Sequence, residues 1–429
     1  MSIDTLLQPY KPFGIHLGLE RINKLLADLG NPHHQVPIIH VAGTNGKGSV
    51  CAYLNSILIE AGYRVGRYTS PHLVDWTERI CLNGKPISQT KLTELLEEIA
   101  TRIDPNSESP TQFEVTTAAA WLYFARSQVD VAVMEVGLGG RLDATNVCDR
   151  PIVTVITSLS LEHWQRLGPT LAHIAREKAG ILKAGCPAVI GKLPPEAHQV
   201  VAERVEELNC PTIWVEPATE INDQEANITI SQSQVSRWVR YQGDNLEAID
   251  YPLPLLGDVQ LNNSALAIAS VQILQQQGWS ISPTAIQLGM AKTRWRGRME
   301  WTTWRNRDLL IDGAHNPAAA QALRQYVDTF NQPVSWVMGM MSTKDHQDVF
   351  QALLRPGDSL YLVPVPVNNT APPEALAILA QQACPDLVKC QTYTELFAAL
   401  TIAMESQESG LVVLCGSLYL VGYFYQQNQ

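Results

Sequence analysis

The ten residues Val41-Ala42-Gly43-Thr44-Asn45-Gly46-Lys47-Gly48-Ser49-Val50 combine glycines, hydroxyls and a lysine at a spacing suited to wrapping a triphosphate. Glycines let backbone N–H groups converge on phosphate oxygens, a helix start adds partial positive charge, and Lys47 can neutralise the outer phosphates. The usual pattern, G-x-x-x-x-G-K-[ST], would have Gly at Val41 and a hydroxyl at Gly48. Here the hydroxyl arrives one residue late, at Ser49. Thr44, Asn45, Gly46, Lys47, Gly48 and Ser49 are therefore candidates for binding ATP or GTP. An ordinary strand-to-helix turn is the competing interpretation, and the Gly-Lys-Gly-Ser run makes it the weaker one.

Further stretches hold groups that make poor core material. Glu135-Val136-Gly137-Leu138-Gly139-Gly140-Arg141-Leu142-Asp143-Ala144-Thr145-Asn146 sets a carboxylate at the end of an apolar run, followed by three glycines, an arginine and an aspartate. Oxygen ligands suit Mg²⁺, and glycines allow close backbone approach. Thr69-Ser70-Pro71-His72-Leu73 offers a hydroxyl and an imidazole, although alone it reads as a Ser-Pro turn. Ser158-Leu159-Ser160-Leu161-Glu162-His163 follows an apolar run, so His163 is either a satisfied structural histidine or a site residue. Lys178, in Arg176-Glu177-Lys178-Ala179-Gly180-Ile181, taken alone is a surface lysine. Asp312-Gly313-Ala314-His315-Asn316-Pro317 could contact a ribose or phosphate, or simply cap a helix, and Arg298 of Gly297-Arg298 could swing onto phosphates.

These groups need a frame, and the apolar patterning supplies one. Short apolar runs at 36–41, 64–68, 129–136, 152–158 and 188–191 alternate with helical patterns near 50–61, read as amphipathic, and 169–183. Such alternation predicts an α/β fold, a mostly parallel sheet with helices on both faces and ligands at the strand ends. Residues 216–250 are polar, with Ile228-Thr229-Ile230 and Trp238-Val239-Arg240-Tyr241 expected as strands of an antiparallel excursion. Helices are expected over 261–277 and 283–291, and a basic linker over 292–298. Beyond it the alternation restarts, predicting a second α/β domain from about residue 299.

Composition bounds the class. The 429 residues suffice for two or three domains, and 45% hydrophobic with 17% charged residues describes an ordinary globular chain. A net charge of −11 argues against a nucleic-acid partner. Eight cysteines without C-x-x-C spacing read as reduced core residues of a cytoplasmic protein. Neither a signal peptide in the first fourteen residues nor a membrane span is expected.

Gly43–Ser49, Thr69–Leu73, Glu135–Asn146, Glu177–Gly180 and Asp312–Pro317 occur in the order seen in the folylpolyglutamate synthase/dihydrofolate synthase family, within the Mur ligase superfamily of ATP-dependent amide-forming ligases. The chain resembles that family from Leu17 to Tyr419. The resemblance implies a P-loop ATPase and catalytic domain over residues 1–297 and a smaller, Rossmann-like glutamate-ligase domain over 298–429. It implies that ATP phosphorylates a carboxylate of dihydropteroate or a reduced folate, and that L-glutamate then displaces phosphate. It further implies Lys47, Lys178 and His163 as catalytic groups, with Lys178 at the position of a carbamylated lysine. Mg²⁺ would be held by Ser70, Glu135 and His163, and ATP by the loop with Asn263, Arg298, Asp312 and His315. The pterin substrate would meet Thr111, Gln112, Phe113, Glu114, Leu142, Asp143 and Ala144, although Phe113 taken alone reads as core. The family is commonly monomeric.

The chain departs from the family pattern at four places. Val259 stands for a His, Arg296 for a Pro and Glu162 for an Asp, and the Asn262-Asn263 pair leaves a one-residue ambiguity in a nucleotide contact. Two competing functions are a Mur-type peptidoglycan amino-acid ligase and a regulatory protein that binds ATP without turnover.

Overall fold

The computed structural model describes residues 2–10, 18–222, 226–229, 237–243, 247–406 and 410–428. The chain divides into two compact units, Met1–Pro254 with Gln260–Thr293, and Leu255–Val259 with Arg294–Gln429. The division thus falls after Thr293, where the resemblance implies it after residue 297 and the alternation restarts from about residue 299, and residues 255–259 join the second unit ahead of that break.

The first unit is built on eight strands: β1 (Ile38–Ala42), β2 (Val65–Tyr68), β3 (Ile80–Leu82), β4 (Lys85–Pro86), β5 (Val131–Glu135), β6 (Val153–Ile156), β7 (Ala188–Ile190) and β8 (Thr212–Trp214). Their order is β4-β3-β2-β5-β1-β6-β7-β8. Neighbours from β2 to β8 pair in parallel, while β3 and β4 add an antiparallel edge. Every residue of β1, β5, β6 and β7 is buried, as strands covered on both faces require. The strands that lead into the chemistry-bearing loops, β2, β5, β1 and β6, are immediate neighbours. Their register sets Tyr68 opposite Met134, Val41 opposite Glu135 and Ala42 opposite Ile156, so those loops leave one edge of the sheet side by side.

Two helices carry this edge. The helix Lys47–Glu60 starts at the lysine itself and buries Ser49 through Asn55 together with Ile57 and Leu58. It is therefore enclosed nearly all round, against β1, β2, β5 and the helix Pro283–Lys292, and lacks the amphipathic pattern expected of it. The helix Gln112–Arg126 opens with a capping box in which Thr111 and Glu114 satisfy each other's backbone N–H groups. Its apolar residues face almost every direction, which hid it from a search for one apolar stripe.

A small antiparallel sheet, β11-β10-β9, joins β9 (Thr219–Ile221), β10 (Trp238–Tyr241) and β11 (Ile249–Pro252). The strand expected at Ile228-Thr229-Ile230 is not formed at Ile228 or Thr229, and Ile230 lies outside the described residues. The Thr229 N–H donates to Gln287 Oε1 at 2.8 Å, a side-chain partner in place of a ladder.

The second unit holds six strands: β12 (Glu300–Trp304), β13 (Arg307–Ile311), β14 (Val334–Met338), β15 (Ser359–Leu362), β16 (Lys389–Thr392) and β17 (Leu411–Cys415), in the order β12-β13-β17-β14-β15-β16. All pairs are parallel except the β12–β13 hairpin. Its core contains a buried ion pair, Arg324 to Asp358 at 2.8 Å, and the same carboxylate oxygen accepts Trp336 Nε1–H at 3.0 Å. No described helix is long and apolar enough to cross a membrane, and all eight cysteines are free.

Candidate active site

After β1 the chain turns through residues 43–46 into the helix at Lys47. Gly46 sits at φ 89°, and a Cβ there would collide with Asn263 Oδ1, so backbone conformation and close approach both demand glycine. The loop is strapped to the segment following β6. Thr44 N–H donates to the Ser158 carbonyl at 2.6 Å, and the Asn45 carbonyl accepts the Thr157 hydroxyl at 2.6 Å and the Ser158 hydroxyl at 3.1 Å. Lys47 Nζ folds back onto the carbonyls of Gly43 and Thr44, at 3.1 Å each.

Lys178 joins the same loop. Its Nζ donates to the Gly43 carbonyl at 2.7 Å, and the side chain is buried, which overturns the surface-lysine interpretation. Burial first, and the charge of Lys47 second, push its pKa from 10.5 down to about 7, against the opposing pull of Glu162 and Asp143. The helix bearing it, Leu171–Ala179, is capped by Thr170 and ends at Gly180. Arg141 locks that helix to the glycine loop through a 2.7 Å bond from its N–H to the Glu177 carbonyl and an ion pair with Glu177 at 2.8 Å. Asn146 Nδ2 adds bonds to the carbonyls of Arg141 and Gly180.

Glu135 closes β5 as a buried carboxylate, and its Oε2 accepts Ser70 N–H at 3.1 Å, so these two oxygen-bearing residues meet. His163 differs: it occupies a left-handed conformation at φ 52°, its side chain is 45% exposed, and Glu162 Oε1 lies 3.8 Å from its Nε2. No group of three or more His, Cys, Asp or Glu side chains among the described residues is arranged to hold a metal. His72, beside the Ser70-Pro71 cis bond, accepts Arg79 Nε–H at 2.9 Å, and burial pushes its pKa down to about 3.

The residues matched to substrate have structural work of their own. Asp143 is fully enclosed and accepts the N–H groups of Gly137, Leu138 and Thr145 and the Thr145 hydroxyl, so it shapes the loop. Its neighbour Ala144 is buried and Leu142 is half-buried. Thr111 and Glu114 form the capping box, and Glu114 also pairs with Arg21 at 3.2 Å. Gln112 Nε2 donates to the Leu7 carbonyl at 3.2 Å. Phe113 is a core ring, packed against Gly137 and lying 6.0 Å from the ring of Tyr68.

In the second unit Asp312 follows β13 and accepts Met299 N–H at 2.8 Å and Ala314 N–H at 2.7 Å. Burial raises its pKa, with Arg298 pulling the other way. A Cβ on Gly313 would lie 2.5 Å from the Arg298 guanidinium, and His315 Nδ1 lies 2.8 Å from the Gly313 carbonyl. Arg298, Asp312 and His315 are therefore brought together. Arg296, which replaces the family's proline, stacks over Tyr425 at 4.0 Å.

The match to known proteins spans both units. Residues 41–271 match the Mur ligase middle domain, and residues 297–427 match the C-terminal domain of dihydrofolate synthetase. A probable dihydrofolate synthetase of Schizosaccharomyces pombe is 34% identical over 425 residues, covering 96% of this chain and 98% of the relative. The chain belongs to the folylpolyglutamate synthase/dihydrofolate synthase family. Solved members share its fold. FolC of E. coli in complex with DHPP and ADP has a TM-score of 0.85 and 31% identity, covering 99% of this chain and 96% of that one. The bifunctional folylpolyglutamate synthase/dihydrofolate synthase of Yersinia pestis, complexed with AMPPNP and Mn ion, has a TM-score of 0.82 and 30% identity, with coverage of 99% and 96%.

Within this member of the family, several residues at the loop escaped the sequence reading. The Thr157 and Ser158 hydroxyls both donate to the Asn45 carbonyl, 112 and 113 residues away, and Gln260 reaches Ser49 across 211 residues. The only signal was the place of Thr157 and Ser158 at the end of the apolar run 152–158. The structure also separates the paired asparagines: Asn263 faces Gly46, whereas Asn262 lies near Gly191.

Proposed function

We propose that this chain is a cytoplasmic, monomeric ligase that uses ATP and Mg²⁺ to join L-glutamate to dihydropteroate, to the γ-carboxylate of reduced folates, or to both. The observation that carries the proposal is the convergence of Lys47 and the buried Lys178 on the Gly43 carbonyl, in a loop strapped beside Glu135's strand. Chemistry of this kind needs charge neutralisation at a transferring phosphoryl group and alignment of the acceptor, with no covalent enzyme intermediate. Lys47 exchanges its two carbonyl partners for phosphate oxygens when ATP enters. Asn263, Arg298, Asp312 and His315 are the further residues that would contact the nucleotide.

Ser70 and Glu135 supply the hard oxygen donors that Mg²⁺ prefers, with His163 as a third, less suited nitrogen donor; the ion would offset phosphate charge. A lysine with a pKa near 7 holds a large share of free amine at neutral pH, the form that adds CO₂. Carbamylation would reverse its charge and give Lys47 an anionic neighbour. The residues that would meet the pterin substrate are Thr111, Gln112, Phe113, Glu114, Leu142, Asp143 and Ala144, with Asp143 and the Thr111–Glu114 cap shaping the backbone that carries them.

In the proposed reaction an oxygen of the acceptor carboxylate attacks the γ-phosphorus and ADP leaves. The glutamate amine then attacks the acyl carbon, and phosphate departs with that oxygen as the amide forms. With acceptor labelled by ¹⁸O in its carboxylate, one label should appear in the released phosphate, and only when glutamate is present. Unlabelled phosphate would eliminate this route.

A further inference from the structure

Ser49 occupies the place one residue after that of the usual metal-binding hydroxyl, and its side chain turns inward. It is buried, and its Oγ accepts from Gln260 Nε2 at 3.4 Å. Gln260 is itself buried, one turn before Asn263 on the helix Val259–Gln276. Its Oε1 accepts both Tyr53 O–H at 3.3 Å and Asn263 Nδ2–H at 3.2 Å. Because Gln260 takes the amide hydrogen of Asn263, the Asn263 oxygen is turned toward Gly46, the glycine that admits it. Ser49 and Tyr53 lie one turn apart on the loop's own helix, so one amide grips that helix at two points and fixes Asn263 with its remaining capacity.

We infer that Gln260, with Ser49, is a positioning residue for the nucleotide loop: it clamps the helix Lys47–Glu60 and aims Asn263 at Gly46. The late serine of the loop is thus a structural hook and not a metal ligand. This rests on the nucleotide reading of the loop given above. The clamp sets how well the loop is formed before ATP arrives, so its loss falls on ATP binding. The chemical step, once ATP is held, is largely spared.

Gln260→Leu keeps the side-chain volume and removes both the donor and the acceptor. Its KM for ATP should rise about five- to tenfold, the scale of one or two lost hydrogen bonds, with kcat within about twofold and the Mg²⁺ dependence unchanged. Ser49→Ala should show a smaller rise of the same kind, Ser49→Thr, which keeps the hydroxyl, should stay near the wild-type value, and the double variant Ser49→Ala/Gln260→Leu should be no worse than Gln260→Leu alone. Thermal unfolding of each variant confirms a folded chain, and Ser49→Ala carries the test if Gln260→Leu fails to fold. An unchanged KM in Ser49→Ala, additive effects in the double variant, or a raised Mg²⁺ requirement would overturn the clamp. Failure of the nucleotide reading is distinguishable, because then wild-type protein would show no saturable ATP dependence at all.

Discussion

At the scale of single residues, Lys178 is the most exposed to test because its environment makes a signed prediction. Its folded pKa of about 7 lies below the ordinary 10.5. Below about pH 7 the lysine is protonated whether folded or unfolded, and the cost of burying its charge is felt in full. Between about pH 7 and 10.5 the unfolded chain holds a proton that the folded chain does not, so this residue makes stability rise with pH. In CO₂-free buffer, the stability of wild type relative to Lys178→Met should therefore climb across that window in denaturant titrations. A flat difference would show an ordinary lysine. Lys178→Met should also lower kcat by about 100-fold or more while ATP still binds, the usual scale for losing an oriented charge at a reacting centre. The position of Lys178 after a strand-loop-helix run was legible in the sequence. Its burial was not, since the Gly43 carbonyl it meets lies 135 residues away.

At the scale of elements, the glycine loop after β5 depends on one carboxylate. Asp143 takes three backbone N–H groups and a hydroxyl, so Asp143→Ala should leave buried donors without partners and cost about 3 kcal/mol, read from the shift in the denaturation midpoint. A loss below about 0.5 kcal/mol would mean that the loop holds itself. Glycines at 137, 139 and 140 announced a loop, and an aspartate among them suggested chemistry. That Asp143 first serves the loop's own backbone follows only from knowing which N–H groups converge on it. Strands β1, β5 and β6 were readable as buried apolar runs because parallel strands covered on both faces are uniformly apolar. The helix Gln112–Arg126 went unread despite its Thr-x-x-Glu capping signature, because burial on nearly all sides erased its period. The strand expected at 228–230 is absent at Ile228 and Thr229 for the opposite reason: alternation of Ile and Thr is a local preference, and Gln287 claims the Thr229 amide.

At the scale of the whole molecule, the two α/β units each carry a core of their own. In the second, removing Asp358 would leave Arg324 Nη1 and the indole N–H of Trp336 without their shared acceptor, while Asp328 still holds the Nε side of the guanidinium. Asp358→Ala should thus destabilise that unit by about 2 kcal/mol, the scale of buried donors left unpaired, seen as faster amide hydrogen exchange along β14. Unchanged exchange there would show that the pair is dispensable. The alternation of strands and helices made both units legible. The assignment of residues 255–259 to the second unit did not come through, because nothing local marks a short segment that returns to a later core. The family is established for the chain as a whole, and its chemistry is decided most directly by ADP release. Purified protein with ATP, Mg²⁺ and L-glutamate is assayed with dihydropteroate and with tetrahydrofolate side by side. Glutamate-dependent ADP release is expected with at least one of the two acceptors, matched by a product one glutamate heavier. ADP release no greater than background with both acceptors would contradict that chemistry.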